Sequence, residues 1–182
     1  MKRILYLLLP ILMAANVNVA RAWEYPTSVP DGFVGSGTEK DPYQIRNAQD
    51  LANLSWLINN DHTEYWRKYW ILTNDIVLNE NVYTKGGAPS KTAKQWVPIG
   101  KYVAAISRVS FRGWFDGRGH TIRGVYIDDS EGKEKYLGLF GYVSYTSSIE
   151  NLNVADSYIR GGCGSWCARQ KSWWPVLSIC CP

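Results

Sequence analysis

Between Phe111 and Val154 the apolar positions follow neither the i, i+3, i+4 spacing of a helix nor the plain alternation of a strand. Val125 and Ile127 stand two apart and share one face of a strand, as do Leu152 and Val154. Ile122 and Ile149 stand three residues ahead of those pairs, which breaks the period of two and calls for a bend. The bend falls on Gly124 in one stretch and Asn151 in the other, and Gly and Asn accept positive φ most readily. Phe111 to Ile127 and Tyr136 to Val154 therefore read as two copies of one unit. Gly113-x-Phe115 is answered by Gly138-x-Phe140, 25 residues on. Ile122, Gly124, Val125 and Ile127 are answered by Ile149, Asn151, Leu152 and Val154, 27 residues on. Self-similarity at a period of about 20–50 residues marks a solenoid, propeller or array. A short strand, a corner and a second short strand in each repeat is the layout of a parallel β-helix, an all-β architecture that builds function into an extended surface.

The same pattern extends on both sides. Asp116-Gly117-Arg118-Gly119 is a turn signal, and Phe115 and Phe140, at matched places, are expected to stack inside. An earlier pass lies in Tyr69 to Leu78, with Ile76 and Leu78 pointing inward beside Asp75 and Asn74 as a corner. Trp96-Val97-Pro98-Ile99-Gly100 leads from there toward Phe111, giving about three to four coils, near the minimum of about three that repeat folds need. Open solenoid ends need caps. Asn47 to Asn59 predicts a short capping helix, with Asn47 as N-cap, Asp50 in the first turn and Leu51, Leu54, Leu57 and Ile58 as its apolar stripe. Tyr65, Trp66, Tyr69 and Trp70 follow. They suit either a sugar-stacking platform or a seal between helix and first coil, and the seal is the favoured reading.

An ordered set of motifs then carries a resemblance. GFVGSGTEKDPYQIRNAQDLANL from Gly32, W-x-P-I-G at Trp96 to Gly100, G-x-F-D-G-x-G-H-x-I at Gly113 to Ile122 and Y-L-G-L-F-G at Tyr136 to Gly141 resemble the start of GLUG-motif proteins. These are secreted or surface-displayed bacterial β-helix proteins, and similar segments precede the protease domain of IgA-cleaving metallopeptidases. The resemblance spans Asp31 to about Gly162. It implies a right-handed β-helix serving as an adhesin-like or scaffold module, with surface glycans or proteins as partners.

Met1 to Ala22 has the layout of a secretory leader: Lys2 and Arg3, an apolar stretch from Ile4 to Ala15, and Ala20-Arg21-Ala22 as cleavage site. The stretch holds Pro10 and falls short of the roughly 20 residues of a spanning helix, so no membrane span is expected after its removal. Without Lys2, Arg3 and Arg21 the formal charge of +4 becomes +1. No basic stripe remains, and nucleic-acid binding loses its electrostatic basis. The residues from Trp23 to Arg160 make one domain of cap and coils. From Gly161 the tail abandons the repeat and carries Cys163, Cys167, Cys180 and Cys181 with three Trp, as though the family pattern ended near Gly162.

Asp116 and His120 share one turn and are the first place to look for catalysis. Asp in D-G-x-G is turn chemistry, and no third group marks a triad. His62 and His120 are the two histidines, and neither belongs to a metal-binding pair. Asp128-Asp129-Ser130-Glu131 could bind calcium, but the run continues with alternating charge and lacks the required spacing, which favours a solvated loop. Asn53-Leu54-Ser55 matches the glycosylation triplet inside the predicted helix, where a chance match is the better reading. Asp75, Asp116 and Asp156 could line a polysaccharide-cleaving face only if their coils aligned, and their steps of 41 and 40 do not fit the repeat. The sequence thus predicts an exported, non-catalytic β-helix module without cofactor or metal. The alternatives are a carbohydrate-active β-helix enzyme, a glycan-binding module or the leader segment of a secreted metallopeptidase.

Overall fold

The computed structural model describes residues 22–101, 109–134 and 136–161. The leader proposed for Met1 to Ala22 lies outside these residues except for Ala22, and the tail lies outside them from Gly162. The described chain is mostly short strands with one α-helix. In order it forms β1 (Tyr43–Ile45), α1 (Ala48–Asn59), a 3₁₀ turn (Thr63–Tyr65), β2 (Tyr69–Leu72), β3 (Ile76–Val77), β4 (Trp114–Asp116), β5 (Thr121–Arg123), β6 (Tyr126–Asp128), β7 (Ser148–Glu150), β8 (Asn153–Ala155) and β9 (Tyr158–Arg160). Every strand pairs in parallel, in three sheets ordered β1-β2-β4-β7, β3-β5-β8 and β6-β9. Parallel sheets require a long crossover for each pairing. Here the crossover is the remainder of each pass of the chain.

The register keeps like residues above like. Tyr43, Trp70, Phe115 and Ile149 form one ladder, Ile76, Ile122 and Val154 a second, and Ile127 and Ile159 a third, with Val154 exposed at the last rung. Trp70, Phe115, Ile122 and Ile127 are buried and, with Trp23, Trp96, Ile99, Phe111 and Phe140, make up one core. Tyr43-Gln44-Ile45 is too short to carry a periodicity that marks a strand, yet it forms β1. It forms the first rung beneath β2.

Helix α1 starts where the sequence places it. Asn47 is extended, and its side chain accepts the Asp50 N–H at 2.9 Å. Leu51, Leu54, Leu57 and Ile58 are all buried. Its polar residues matter as much. Ser55, fully buried, donates to the Val97 carbonyl at 2.7 Å. The Asn59 side-chain amide donates to the Pro98 carbonyl at 2.8 Å and accepts the Gly100 N–H at 3.1 Å. On its other edge the same segment pairs with the next pass, through Ile99 N–H to the Leu139 carbonyl and Gly141 N–H to the Ile99 carbonyl, each 3.0 Å. One amide therefore does for this segment what a neighbouring strand would do.

The repeat register needs correcting. Ile122 lies over Val154 and Ile127 over Ile159, a step of 32, where the sequence comparison set Ile122 against Ile149 at 27. The 5-residue difference has a physical origin. Within the last pass Ile149, Val154 and Ile159 hold matched register positions on three successive sheets at intervals of 5, so each side of a pass resembles the next side. The comparison slipped by one side. The corner assignment survives the slip: Gly124, Asn151 and Asp156 have φ of 72°, 51° and 48°. The partner of Gly124 in the next pass is Asp156, whereas Asn151 lies against Gly119, whose N–H it accepts at 2.7 Å. A Cβ at Gly124 would overlap the Asn79 carbonyl, so this corner needs glycine for both dihedral and space.

The match of Gly113-x-Phe115 to Gly138-x-Phe140 is also corrected. Phe115 pairs with Ile149, and Phe140 bridges Ile99. Leu137 to Gly141 thus answers Trp96 to Gly100. The Phe115 and Phe140 rings do meet, at 5.3 Å and edge-on, because inward side chains from different sides converge in the core.

Candidate functional site

The first corner, between the first and second sheets, spans Thr73 to Asp75, Gly117 to His120, and Asn151 to Leu152 in successive passes. The unequal lengths offset the polar groups from one pass to the next. Asp75 Oδ1 accepts the Thr121 N–H at 3.0 Å and lies 3.1 Å from His120 Nδ1. The Thr121 N–H, and after it the His120 ring, hold the Asp75 carboxyl below its ordinary value. Asp116 and His120, which the sequence set together, are parted: Asp116 Oδ1 accepts the Arg118 N–H at 2.8 Å and the Asn151 amide at 3.0 Å. Asp156 belongs to the second corner, where its carboxylate meets the Arg123 guanidinium at 2.5 Å. Each of the three aspartates is thus engaged by a different neighbour, and each stitches one pass to another.

The remaining motifs resolve locally. Asp129 accepts the Lys133 N–H at 3.1 Å and the Glu134 N–H at 2.8 Å, and Lys133 pairs with Glu131. The acidic run is a self-capped turn. Among the described residues no group of three or more His, Cys, Asp or Glu gathers as metal ligands. Asn53 and Ser55 sit on α1, and the Ser55 hydroxyl is buried against Val97. Among the described residues no helix is long and apolar enough to cross a membrane.

The aromatic residues divide into an inner and an outer set. Trp70 is packed by Phe33 at 4.9 Å, Tyr43 at 4.8 Å and Tyr65 at 6.0 Å, so Tyr65 and Trp70 join an aromatic cluster with β1 and the segment before it. Burial raises the Tyr65 phenol above its ordinary value. Trp66 lies apart, beneath the Arg112 guanidinium at 4.2 Å. Outside the core, Tyr69 and Trp114 occupy matched positions of β2 and β4 and stack at 4.5 Å with 15° between planes. Tyr126 and Tyr158 stack at 5.3 Å on the third sheet. This pairing of outer aromatics across strands 45 and 32 residues apart escaped sequence reading. Only the register brings them together, although the recurrence of aromatic residues next to inward apolar ones was the available signal.

Trp23 anchors the first described residues. It is buried, donates its indole N–H to the Leu78 carbonyl at 2.7 Å, meets Trp96 edge-on at 5.7 Å and lies under the Lys94 ammonium.

With this geometry in hand, comparison with known proteins gives two curated relatives. A protein named "Putative Gly-rich membrane protein" from Evansella cellulosilytica is 30% identical over 125 residues, covering 69% of this chain and 12% of that protein. Halomucin from Haloquadratum walsbyi is 29% identical over 129 residues, covering 71% of this chain and 1% of its own length. The chain therefore spans a small part of the relatives it matches. No family model matches it, and no solved structure matches it. What this chain shares with each relative is a stretch of 125 to 129 residues, about seven-tenths of its own length, inside a far longer polypeptide.

Proposed function

We propose that this chain is an exported, right-handed parallel β-helix module of the GLUG type, working at a cell surface as an adhesion or scaffold element. One observation carries the reading: the last two passes, β4-β5-β6 and β7-β8-β9, add one parallel strand each to all three sheets in the same order, with a step of 32 in the second and third sheets. That is how a coil propagates, and it builds surface, not a pocket. Several findings support it. A relative of this stretch bears the name of a membrane protein. Trp23, the first residue after the expected cleavage site, is anchored in the core. Asp75, Asp116 and Asp156 are each tied to a neighbour on another pass, as structural groups of a coil would be.

The test is expression of the full chain with its leader in a Gram-negative bacterium, followed by mass spectrometry of the exported and surface-bound fractions. The expected product begins at Trp23. A chain that keeps Met1 and stays in the cytoplasm overturns the export reading. Turnover of a polysaccharide by the purified protein, abolished by Asp116→Asn, overturns the scaffold reading.

A further inference from the structure

The two outer aromatic ladders end differently. On the third sheet Tyr158 stacks on Tyr126, and Tyr83 closes over it edge-on at 5.6 Å. On the first sheet Trp114 stacks on Tyr69, and the next register position is Ser148. A serine fills only part of the room that an aromatic rung would take. Trp114 is half-buried, and neighbouring strands lie about 4.8 Å apart, so an aromatic side chain in place of Ser148 would add one ring's depth over it. Tyr145, 99% exposed, stands three residues before Ser148. Its turn is fixed: Ser144 N–H donates to the Phe111 carbonyl at 2.8 Å, and the Ser147 hydroxyl donates to the same carbonyl at 2.9 Å. Phe111 in turn opens the segment that runs into Trp114. A tyrosine held wholly in water by a braced turn is an exception among aromatic side chains, which ordinarily bury much of their surface.

We propose that Trp114, Ser148 and Tyr145 form a stacking platform for a neutral hexopyranose unit of a polysaccharide. The proposal rests on the surface-module reading and names the ligand class of that surface. The faces of aromatic rings carry negative potential, and the axial C–H groups of a pyranose carry the matching positive one. A sugar ring is also about as thick as the missing rung. Charge selects the type of sugar. Asp116 and Glu150 occupy the next outward positions on β4 and β7, about 7 Å along each strand. They accept hydrogens from sugar hydroxyls and repel uronates and sulfates. Arg112, two residues before Trp114, is turned onto Trp66 and Ser110. The same acidic pair disfavours a stacked nucleotide, whose phosphate it would oppose.

Isothermal titration of the purified full chain tests this with cellohexaose and mannohexaose as neutral probes and hexagalacturonate as the charged one. At least one neutral hexasaccharide is expected to bind and the uronate not to. Tyr145→Ala removes a side chain that packs against nothing, and it should weaken binding about tenfold, the scale of one lost stacking ring for nucleic-acid bases. Ser148→Tyr should fill the space over Trp114 and abolish binding while circular dichroism stays unchanged. No binding of either neutral probe, preference for the uronate, or affinity unchanged in both variants would overturn the proposal. Failure here with Trp23 as the exported N-terminus removes this ligand and leaves the surface module standing. A cytoplasmic chain that nevertheless binds removes the export reading alone.

Discussion

Asn59 donates its side-chain amide to the Pro98 carbonyl at 2.8 Å, across 39 residues of sequence. With the Gly100 N–H accepted at 3.1 Å by the same group, the end of α1 occupies the place of a strand beside the Trp96 to Gly100 segment. An open sheet edge exposes backbone groups that would otherwise recruit another chain. Here a helical side chain satisfies two of them.

Asn59→Asp keeps the shape and removes the donor, setting a carboxylate oxygen against the Pro98 carbonyl. Loss of such a partly buried hydrogen bond costs about 1–3 kcal/mol. Urea denaturation is expected to show a lower midpoint with an unchanged slope. An unaltered midpoint would mean that water replaces the amide and that α1 caps through its apolar face alone.

Gly124 and Asp156 hold the same corner in successive passes, at φ 72° and 48°. Left-handed backbone costs a residue with a Cβ about 1–2 kcal/mol. Gly124→Ala adds an overlap with the Asn79 carbonyl, so a loss above about 2 kcal/mol is expected. Asp156→Gly relieves the strain and gives up an exposed ion pair with Arg123, worth about 0–1 kcal/mol. Its thermal midpoint should stay near that of the wild type. Equal effects of the two changes would show that the corners are not equivalent.

Asp75 links two passes through the Thr121 N–H and the His120 ring, which lower its pKa in the folded state. A carboxyl with a depressed folded-state pKa contributes stability that is fully present above its unfolded value and is lost as pH falls through the folded one. The melting temperature should therefore decline as pH drops below the unperturbed value of 3.8. In Asp75→Asn that decline should be shallower. Thermal melts of both proteins from pH 6 to pH 2 check this, and parallel curves would assign the acid sensitivity to other groups.

Features governed by neighbours close in sequence were legible from the chain alone. The helix from Ala48 to Asn59, its Asn47 cap and its buried Leu stripe depend on contacts within one or two turns. The corners at Gly124 and Asn151 depend on the dihedral freedom of single residues. What the chain alone misaligned was the relation between passes. In the last two passes a repeat of 5 residues from side to side lies within a step of 32 on the second and third sheets, and local similarity cannot tell them apart. Only the tertiary register decided that Ile122 lies under Val154, that His120 meets Asp75 and not Asp116, and that Tyr69 stacks on Trp114. The physical reason is that parallel pairing joins residues tens of positions apart through insertions of unequal length. The register is fixed by fitting whole inward ladders into one core, a condition that no single stretch of sequence contains.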